Sequence, residues 1–364
     1  MKQIFHIVSN KAWGGGEQYV FDLCQRQLAD GIQVAVFCKP VEVIISKFRE
    51  LNIPVYPMFL NGLIDFKSAW HMGKILHEAG PCTIHAHNFK DAFTAAHARA
   101  LYGRKDQVRL VMCRHLTRTG KNGLHYRWLY RQLDGLCFDS ELSKSIFLST
   151  SPAMDLKKIC VVHTSVVVPE DIQAIDLRSR YGIPANTAIA MYHGRLDPEK
   201  GLDVLIEATA MLRDKNFRLL LIGRGDEDYT AHLQQLISEK DLIEKVLLLG
   251  FQHPVLPFVA SADFGLLPSV VREGCPLSPQ EYMSQAHPVV ATDNGGQQEY
   301  IRHRQNGLLV PPSDSTLLAE AMATLIDGVA LRRQLGAQAK SDFDNQLSYE
   351  HFYRKIQTLY DLAV

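Results

Sequence analysis

The sequence predicts an α/β protein made of two consecutive units, each with a parallel sheet. Short β-rich runs alternate with amphipathic helical stretches along nearly the whole chain, a rhythm that calls for parallel strands joined by crossover helices. The 364 residues suffice for about two domains at roughly 100–200 residues each. Midway, residues 166–175 (VVVPEDIQAI) contain Pro169 and adjacent acids that break the periodicity, as an exposed linker or hinge would. The expected division is therefore a first domain over 1–168 and a second over 169–345. A terminal helix over 346–364 is expected to pack back on the first domain.

In chain order, the first unit offers the strand IFHIVS, a helix from Glu17 to Ala29, the strand IQVAVFC and a helix from Val43 to Leu51, followed by the strands CTIHAH, RLVMC and LCFD. The second offers AIAMYHG, a helix from Leu202 to Leu212, RLLLIG, a helix from Tyr229 to Glu239, VLLLG, ADFGLLP, HPVVAT and GLLVPP. The tail from Ser315 to Ala363 reads as three helices. No repeat of 20–50 residues is visible, which excludes a solenoid.

Composition narrows the class. With 46% hydrophobic and 21% charged residues the chain has ordinary core-forming capacity, so disordered and fibrous readings fall away. Seven cysteines, no two closer than fourteen positions, argue against a disulfide framework or a CxxC zinc or redox site, and a reducing cytoplasm fits best. No run reaches the roughly 20 apolar residues of a membrane span, and the start MKQIFHIVSN reads as a buried strand, not a leader. Net charge is zero, yet the chain up to Val168 carries 21 Lys+Arg against 13 Asp+Glu and the remainder 18 against 26. Such polarity fits either a first unit facing an anionic partner or two units with complementary charge.

Trp13-Gly14-Gly15-Gly16-Glu17 follows the first strand and opens a helix, where bare backbone N–H groups can approach an anion at the positive helix end. The dinucleotide fingerprint fails, because Tyr19 occupies the third glycine position and the second strand ends in Lys39, where NAD ribose binding needs an acid. In the second unit a strand runs into His193-Gly194-Arg195-Leu196-Asp197-Pro198-Glu199-Lys200-Gly201. Its Arg195 and Lys200 flank a turn at the carboxyl edge of the sheet, where a fork and a point charge can neutralise a diphosphate. Further on come Glu273-Gly274-Cys275-Pro276-Leu277 and, eight positions after Glu273, Glu281 on the following helix. Glu281 can accept two ribose hydroxyls, Glu273 can meet sugar hydroxyls, and the amides of Cys275 and Leu277 can meet phosphate.

Taken jointly, the E-x7-E pair with its EG(x)P start, the PVVATDxGGxxE continuation, GRLxxEKG and the N-terminal GGxE resemble the retaining glycosyltransferases of family 4 in the GT-B superfamily. That resemblance implies the GT-B fold: two facing Rossmann-like domains with a cleft between them. It implies transfer of a hexose-type sugar from a nucleotide diphosphate sugar, held mainly by the second domain, to a glycan or lipid-linked acceptor, as in cell-surface polysaccharide or glycolipid synthesis. It assigns Arg195 and Lys200 to the diphosphate, Glu281 to the ribose, Glu273 to the transferred sugar, Gly274, Cys275, Pro276 and Leu277 to the donor, and Gly15 and Gly16 to close backbone approach. Phe251, after VLLLG, takes the position bordering the base. His115 is the catalytic histidine by resemblance, with His87, Glu17, Arg118 and Lys121 on the acceptor side. The only substrate-like cofactor is the donor itself, and no metal is expected: Asp226-Glu227-Asp228 reads as a helix cap, and His85 and His87 lack a complete ligand set. Retention with no evident carboxylate nucleophile implies same-face attack assisted by the departing phosphate.

Two departures from the pattern stand out. His163-Thr164-Ser165-Val166 replaces the Asn-Gly often found where the first domain hands over to the second, and Ala286 replaces a helix-terminating glycine. From Gln107 to Leu133 there is no acid, while six Arg and Lys side chains interleave with Tyr126, Trp128 and Tyr130. That pattern suits an anionic membrane interface or a phosphorylated lipid acceptor, equally a helix with aromatics in the core; RNA is disfavoured because no RNA-binding module accompanies it. A protein peripheral to the inner face of the membrane is compatible. A sugar-nucleotide 2-epimerase and a non-catalytic nucleotide-sugar-binding protein are the competing functions on the same scaffold.

Overall fold

The computed structural model describes residues 3–102 and 106–361. The first sheet contains seven parallel strands: β1 (Gln3–Val8), β2 (Gln33–Cys38), β3 (Val55–Pro57), β4 (Cys82–Ala86), β5 (Val108–Arg114), β6 (Gly135–Phe138) and β7 (Ile159–Val161), in the order β3-β2-β1-β4-β5-β6-β7. The second contains six: β8 (Ala188–His193), β9 (Phe217–Ile222), β10 (Val246–Gly250), β11 (Phe264–Leu267), β12 (Val289–Thr292) and β13 (Gly307–Val310), in the order β10-β9-β8-β11-β12-β13. β3 and β7, three residues each, are too short to leave a periodic signal in the sequence.

Each strand order reverses direction once, between β1 and β4 in the first sheet and between β8 and β11 in the second. At such a point the two crossover helices leave on opposite faces and open a crevice beyond the carboxyl ends of the strands, where α/β sheets bind ligands. The central strands are buried on both faces, which explains why AIAMYH and FRLLLI read as near-continuous apolar runs and not as alternating ones.

The chain divides into two compact units, residues 1–163 with 352–364, and residues 164–351. Residues 166–175 carry no helix or strand, and Val167, Pro169, Glu170, Asp171, Gln173 and Ala174 are exposed, while Val166 is buried and Val168 and Ile175 pack against the second unit's core. Within the first unit the end of the terminal helix Tyr349–Asp361 is fixed by Tyr360: its hydroxyl meets His85 Nδ1 at 2.8 Å and accepts from Gln27 Nε2, while its carbonyl accepts from Arg109 Nη1 at 2.8 Å. The seven cysteines, all among the described residues, form no disulfide. Cys113, Cys137 and Cys160 lie side by side across β5, β6 and β7.

Candidate functional site

The second unit's reversal point is built by three loops. The β8 strand ends in His193 and passes through Gly194 and Arg195 into the turn Pro198–Lys200, capped by Asp197, whose carboxylate accepts from Glu199 N. Gly201 closes the turn in the left-handed region (φ 69°), and a Cβ there would stand 2.1 Å from Pro268 O. Only glycine therefore lets this turn lie against the end of β11, an approach sealed by Val270 N donating to Glu199 O at 3.0 Å. Lys200 Nζ is thereby brought to 2.5 Å from Glu273 Oε1, which also accepts from Ser269 Oγ at 2.6 Å.

The Glu273 loop is clamped from β12. Thr292 Oγ1 donates to Ser269 O at 2.8 Å, Asn294 Nδ2 donates to Ser269 O and Val271 O, and Gly296 N donates to Glu273 O at 2.9 Å. A Cβ on Gly295 would fall 2.9 Å from both the nitrogen and the oxygen of Glu273, so the first glycine of the DNGG run is needed for contact with that loop. The next turn is held by Gln280 Nε2 donating to Thr164 O and Tyr300 Oη donating to Pro276 O, both at 2.8 Å. The helix Leu277–Ser284 then begins with no side chain capping it, which leaves its first amides, Leu277 among them, to find other partners.

Glu281 on this helix points back to β8 and makes a short contact with His193 Nε2. His193 is buried, and its Nδ1 lies 2.8 Å from Tyr282 Oη, whose own hydrogen goes to Met191 O. The Tyr282 hydroxyl can therefore only accept from the imidazole, so Nδ1 carries a proton and the ring is fixed at both ends. Arg195 differs from these ordered groups. It is 61% exposed, with Asp197 at 3.2 Å and Glu199 at 3.8 Å, and lines a cavity of about 340 Å³ with His193, Gly223, Arg224, Phe251 and His253. Phe251 is 66% exposed and stacks nearly parallel to His253, ring centroids 6.3 Å apart.

Lys200, Glu273, Glu281, Arg195, Phe251 and the turn 274–277 thus all belong to one unit and to neighbouring loops. Sequence reasoning missed His193, Arg224 and His253. The Gly-Arg after β9 repeats the Gly-Arg after β8, a signal that could have pointed to Arg224; nothing in the sequence singles out His193 as the support of Glu281. Asp226 caps the helix Glu227–Glu239 through Asp228 N at 3.0 Å, the structural role expected of the acidic triplet.

The remaining candidates lie in the first unit. Gly15 and Gly16 begin the helix Gly15–Ala29, and a Cβ on either would meet nothing within 4 Å. Glu17 is buried and accepts a short bond from Asn10 Nδ2. His115 packs edge-on to Tyr19, centroids 4.8 Å apart, and lies 6.1 Å from His87. Burial lowers the pKa of both imidazoles, opposed at His115 by the Asp139 carboxylate and reinforced at His87 by the neighbouring His85, His6 and His115, so each is a neutral group at pH 7. Arg118 and Lys121 are exposed, the latter with Nζ 5.2 Å from the Tyr126 ring centroid.

Among the described residues, one group of three has metal-ligand spacing: His6, His85 and His87, with ligand atoms within 4.8 Å of one another. His6 faces His85 in the β1–β4 register, a juxtaposition that sequence spacing could not show. The rings already bond within the protein: His6 to Gln27 Oε1 at 2.8 Å and to His87 at 3.2 Å, and His85 to Tyr360. In the basic segment, Tyr130 is buried, and Tyr126 and Trp128 pack against the first unit's core. Tyr130 is thus a core residue, while Tyr126 and Trp128 are half-buried against that core.

The family model for Glycosyltransferase Family 4 matches residues 13–195, and that for Glycosyl transferases group 1 matches residues 174–342. The amylovoran biosynthesis glycosyltransferase AmsK of Erwinia amylovora is 33% identical over 178 residues, 45% of this chain and 43% of that protein. Against AmsK and two further curated relatives the match spans only 43 to 49% of their length. N-acetyl-alpha-D-glucosaminyl L-malate synthase of Bacillus anthracis is 24% identical over 323 residues, 86% of this chain and 83% of that one. Among solved structures, HepE of Anabaena in complex with UDP superposes with a TM-score of 0.84 at 21% identity over 99% of both chains, a likeness of fold. The two parallel-sheet units are those of the GT-B fold, and with half of its residues matched by the family model this chain belongs to glycosyltransferase family 4.

Proposed function

We propose that the protein is a retaining glycosyltransferase. It moves a hexose-type sugar from a nucleotide diphosphate sugar to a glycan or lipid-linked acceptor in cell-surface polysaccharide or glycolipid synthesis, at the cytoplasmic side. The observation that carries the reading is the meeting of a cation, two carboxylates and an uncapped helix start at the β8–β11 reversal point. Family membership and the naming of AmsK as an amylovoran biosynthesis glycosyltransferase support it. A UDP sugar is the first donor to test, since HepE of the same fold was crystallised with UDP.

In this reading Phe251 and His253 border the base, Glu281 accepts the ribose hydroxyls, and the amides of the turn 275–277 meet phosphate. Gly274 and Pro276 shape that turn, and Glu273 Oε2, which has no bond among the described residues, meets the sugar. Breaking the C1–oxygen bond leaves negative charge on the diphosphate. Arg195, an exposed fork, and Lys200, a point charge held beside Glu273, stabilise that charge more than the ground state, and no metal is required. In the first unit, Gly15 and Gly16 keep backbone bare beside the donor, as their open Cβ positions allow. There His115, neutral at pH 7, bonds a sugar hydroxyl, and His87, Glu17, Arg118 and Lys121 serve the acceptor.

The test is incubation with a panel of nucleotide sugars, with and without acceptor extracts, followed by proton NMR of the released sugar. Transfer, or slow donor hydrolysis with retained anomeric configuration, is expected and should vanish in Glu273→Gln. Isomerised nucleotide sugar would favour the epimerase, and binding without any turnover the non-catalytic protein.

A further inference from the structure

One surface of the first unit has no part in the proposed donor chemistry. Between residues 59 and 70 five large apolar side chains face solvent: Phe59, Leu63, Ile64, Phe66 and Trp70. Ile64 is 76% exposed, and Phe59, Phe66 and Trp70 are each more than half exposed. Scattered apolar residues on a surface need no explanation, but a cluster on one loop and the first turns of one helix does. The helix Phe66–Ala79 buries Ala69, Met72 and Leu76 and turns Phe66, Lys67, Trp70 and Lys74 outward.

Cations accompany the rings. Lys74 Nζ stands 3.9 Å from the Trp70 ring centroid and Lys67 Nζ 5.8 Å from that of Phe59, while the stem of Lys90 runs past Gly62. The one acid in this stretch, Asp65, is turned inward and accepts from Asn61 N and Ser68 N. The surface continues to the cation-rich helix Leu124–Gln132: Phe66 packs on His97 at 5.6 Å, and His97 stacks on Trp128 at 4.7 Å. That helix presents exposed Leu124, Arg127 and Arg131.

We infer that the face formed by residues 59–74 and the helix Leu124–Gln132 docks on an anionic lipid bilayer. Ile64, Phe66 and Trp70 enter the headgroup boundary while Lys67, Lys74, Lys90 and Arg127 meet lipid phosphates. The occupant follows from the composition: exposed aromatic and branched apolar groups wrapped by lysine, with the outward acid Glu78 only at the far end of the helix, match the amphipathic, negatively charged boundary of a membrane. The inference goes beyond the donor-site reading and does not depend on it. It extends the basic segment 107–133, through the half-buried Trp128, to the loop and helix of residues 59–74.

The test is cosedimentation of the full chain with phosphatidylcholine vesicles containing or lacking 30% phosphatidylglycerol. Binding is expected only with the anionic lipid, with a blue shift of tryptophan emission that disappears in Trp70→Phe. Ile64→Ser/Trp70→Glu should abolish it. Lys67→Glu/Lys74→Glu should weaken it at least about tenfold, each cation contributing on the order of fivefold. All variants alter exposed side chains and should keep the wild-type melting temperature and UDP affinity, which separates failure here from failure of the donor site. Wild-type protein left in the supernatant, or binding unaffected by Ile64→Ser/Trp70→Glu, overturns the inference. So does a concentration-dependent dimer that the same substitution dissolves, since a second copy would then cover the face.

Discussion

Lys200 Nζ lies 2.5 Å from Glu273 Oε1, so the ammonium assigned to the donor diphosphate and the carboxylate assigned to the sugar neutralise one another in the free protein. Both side chains are mostly buried, which makes loss of one partner more harmful than loss of an exposed pair. Donor binding must draw Lys200 toward phosphate while Ser269 continues to hold Glu273. Lys200→Ala should lower kcat at least about 100-fold, the usual scale for removing one stabiliser of transition-state charge. Combined with Glu273→Gln, the losses should be far from additive, because the two act as a unit. Steady-state kinetics of the single and double variants give the answer, and multiplicative losses would contradict the shared role.

The His193–Glu281 contact predicts a positioning effect. With Tyr282 Oη committed as a donor to Met191 O, the imidazole is held rigidly and keeps Glu281 in one orientation. His193→Ala should weaken UDP binding about tenfold, the worth of roughly one hydrogen bond to a charged group, and lower the melting temperature because the ring is buried. Unchanged affinity by titration calorimetry would show that Glu281 needs no support.

Asp91, at the start of the helix Phe89–Leu101, has its carboxyl pushed up to about 7 by burial, against the pull of bonds from Ser9 and Asn88 and of Lys39 and Lys90. The folded state therefore keeps a proton that the unfolded chain releases near pH 4. Asp91 lowers stability progressively as pH rises from about 4 to 7, by at most about 4 kcal/mol. The stability of Asp91→Asn relative to wild type should rise over that window and level off above it. Burial of His6, with its pKa lowered to about 4, gives the opposite trend below pH 6.5 in both proteins and cancels in the difference. Denaturant melts at pH 4.5 and 8 provide the comparison, and a flat difference would contradict the protonated carboxyl.

Ala286 sits at φ 59°, the left-handed region that disfavours a side chain, in the turn after the helix Leu277–Ser284. Ala286→Gly removes that strain but adds freedom to the unfolded chain, so the net gain should not exceed about 1 kcal/mol. Thermal denaturation should show an equal or higher midpoint. A clear drop would mean that the Ala286 methyl makes contacts worth more than the strain.

Much of this was legible in the sequence because it is local. The strands buried on both faces are continuous apolar runs, and the glycines at 201 and 295 sit in motifs whose spacing marks loop tips at one sheet edge. What could not be read is what the topology creates. The facing of His6 and His85 depends on β1 pairing with β4, 79 residues on in the chain. The His193 contact with Glu281 crosses 88 positions. For Tyr126, Trp128 and Tyr130 the sequence left a surface row and a core-packed helix equally open, because cations separate them; Tyr130 is buried and the other two pack half-buried on the core beside it. Around Pro169 the chain is irregular as its sequence suggests, but the burial of Val166 and the packing of Ile175 depend on the second unit's core.

The most direct test of the donor site is calorimetric titration of UDP into the wild type, Glu281→Ala and Lys200→Ala at one pH and ionic strength. Saturable one-to-one binding by the wild type, at least tenfold weaker in both variants while each still unfolds cooperatively well above the titration temperature, is predicted. Wild-type affinity in both variants, or binding unaffected by either while a first-unit substitution abolishes it, would place the nucleotide elsewhere.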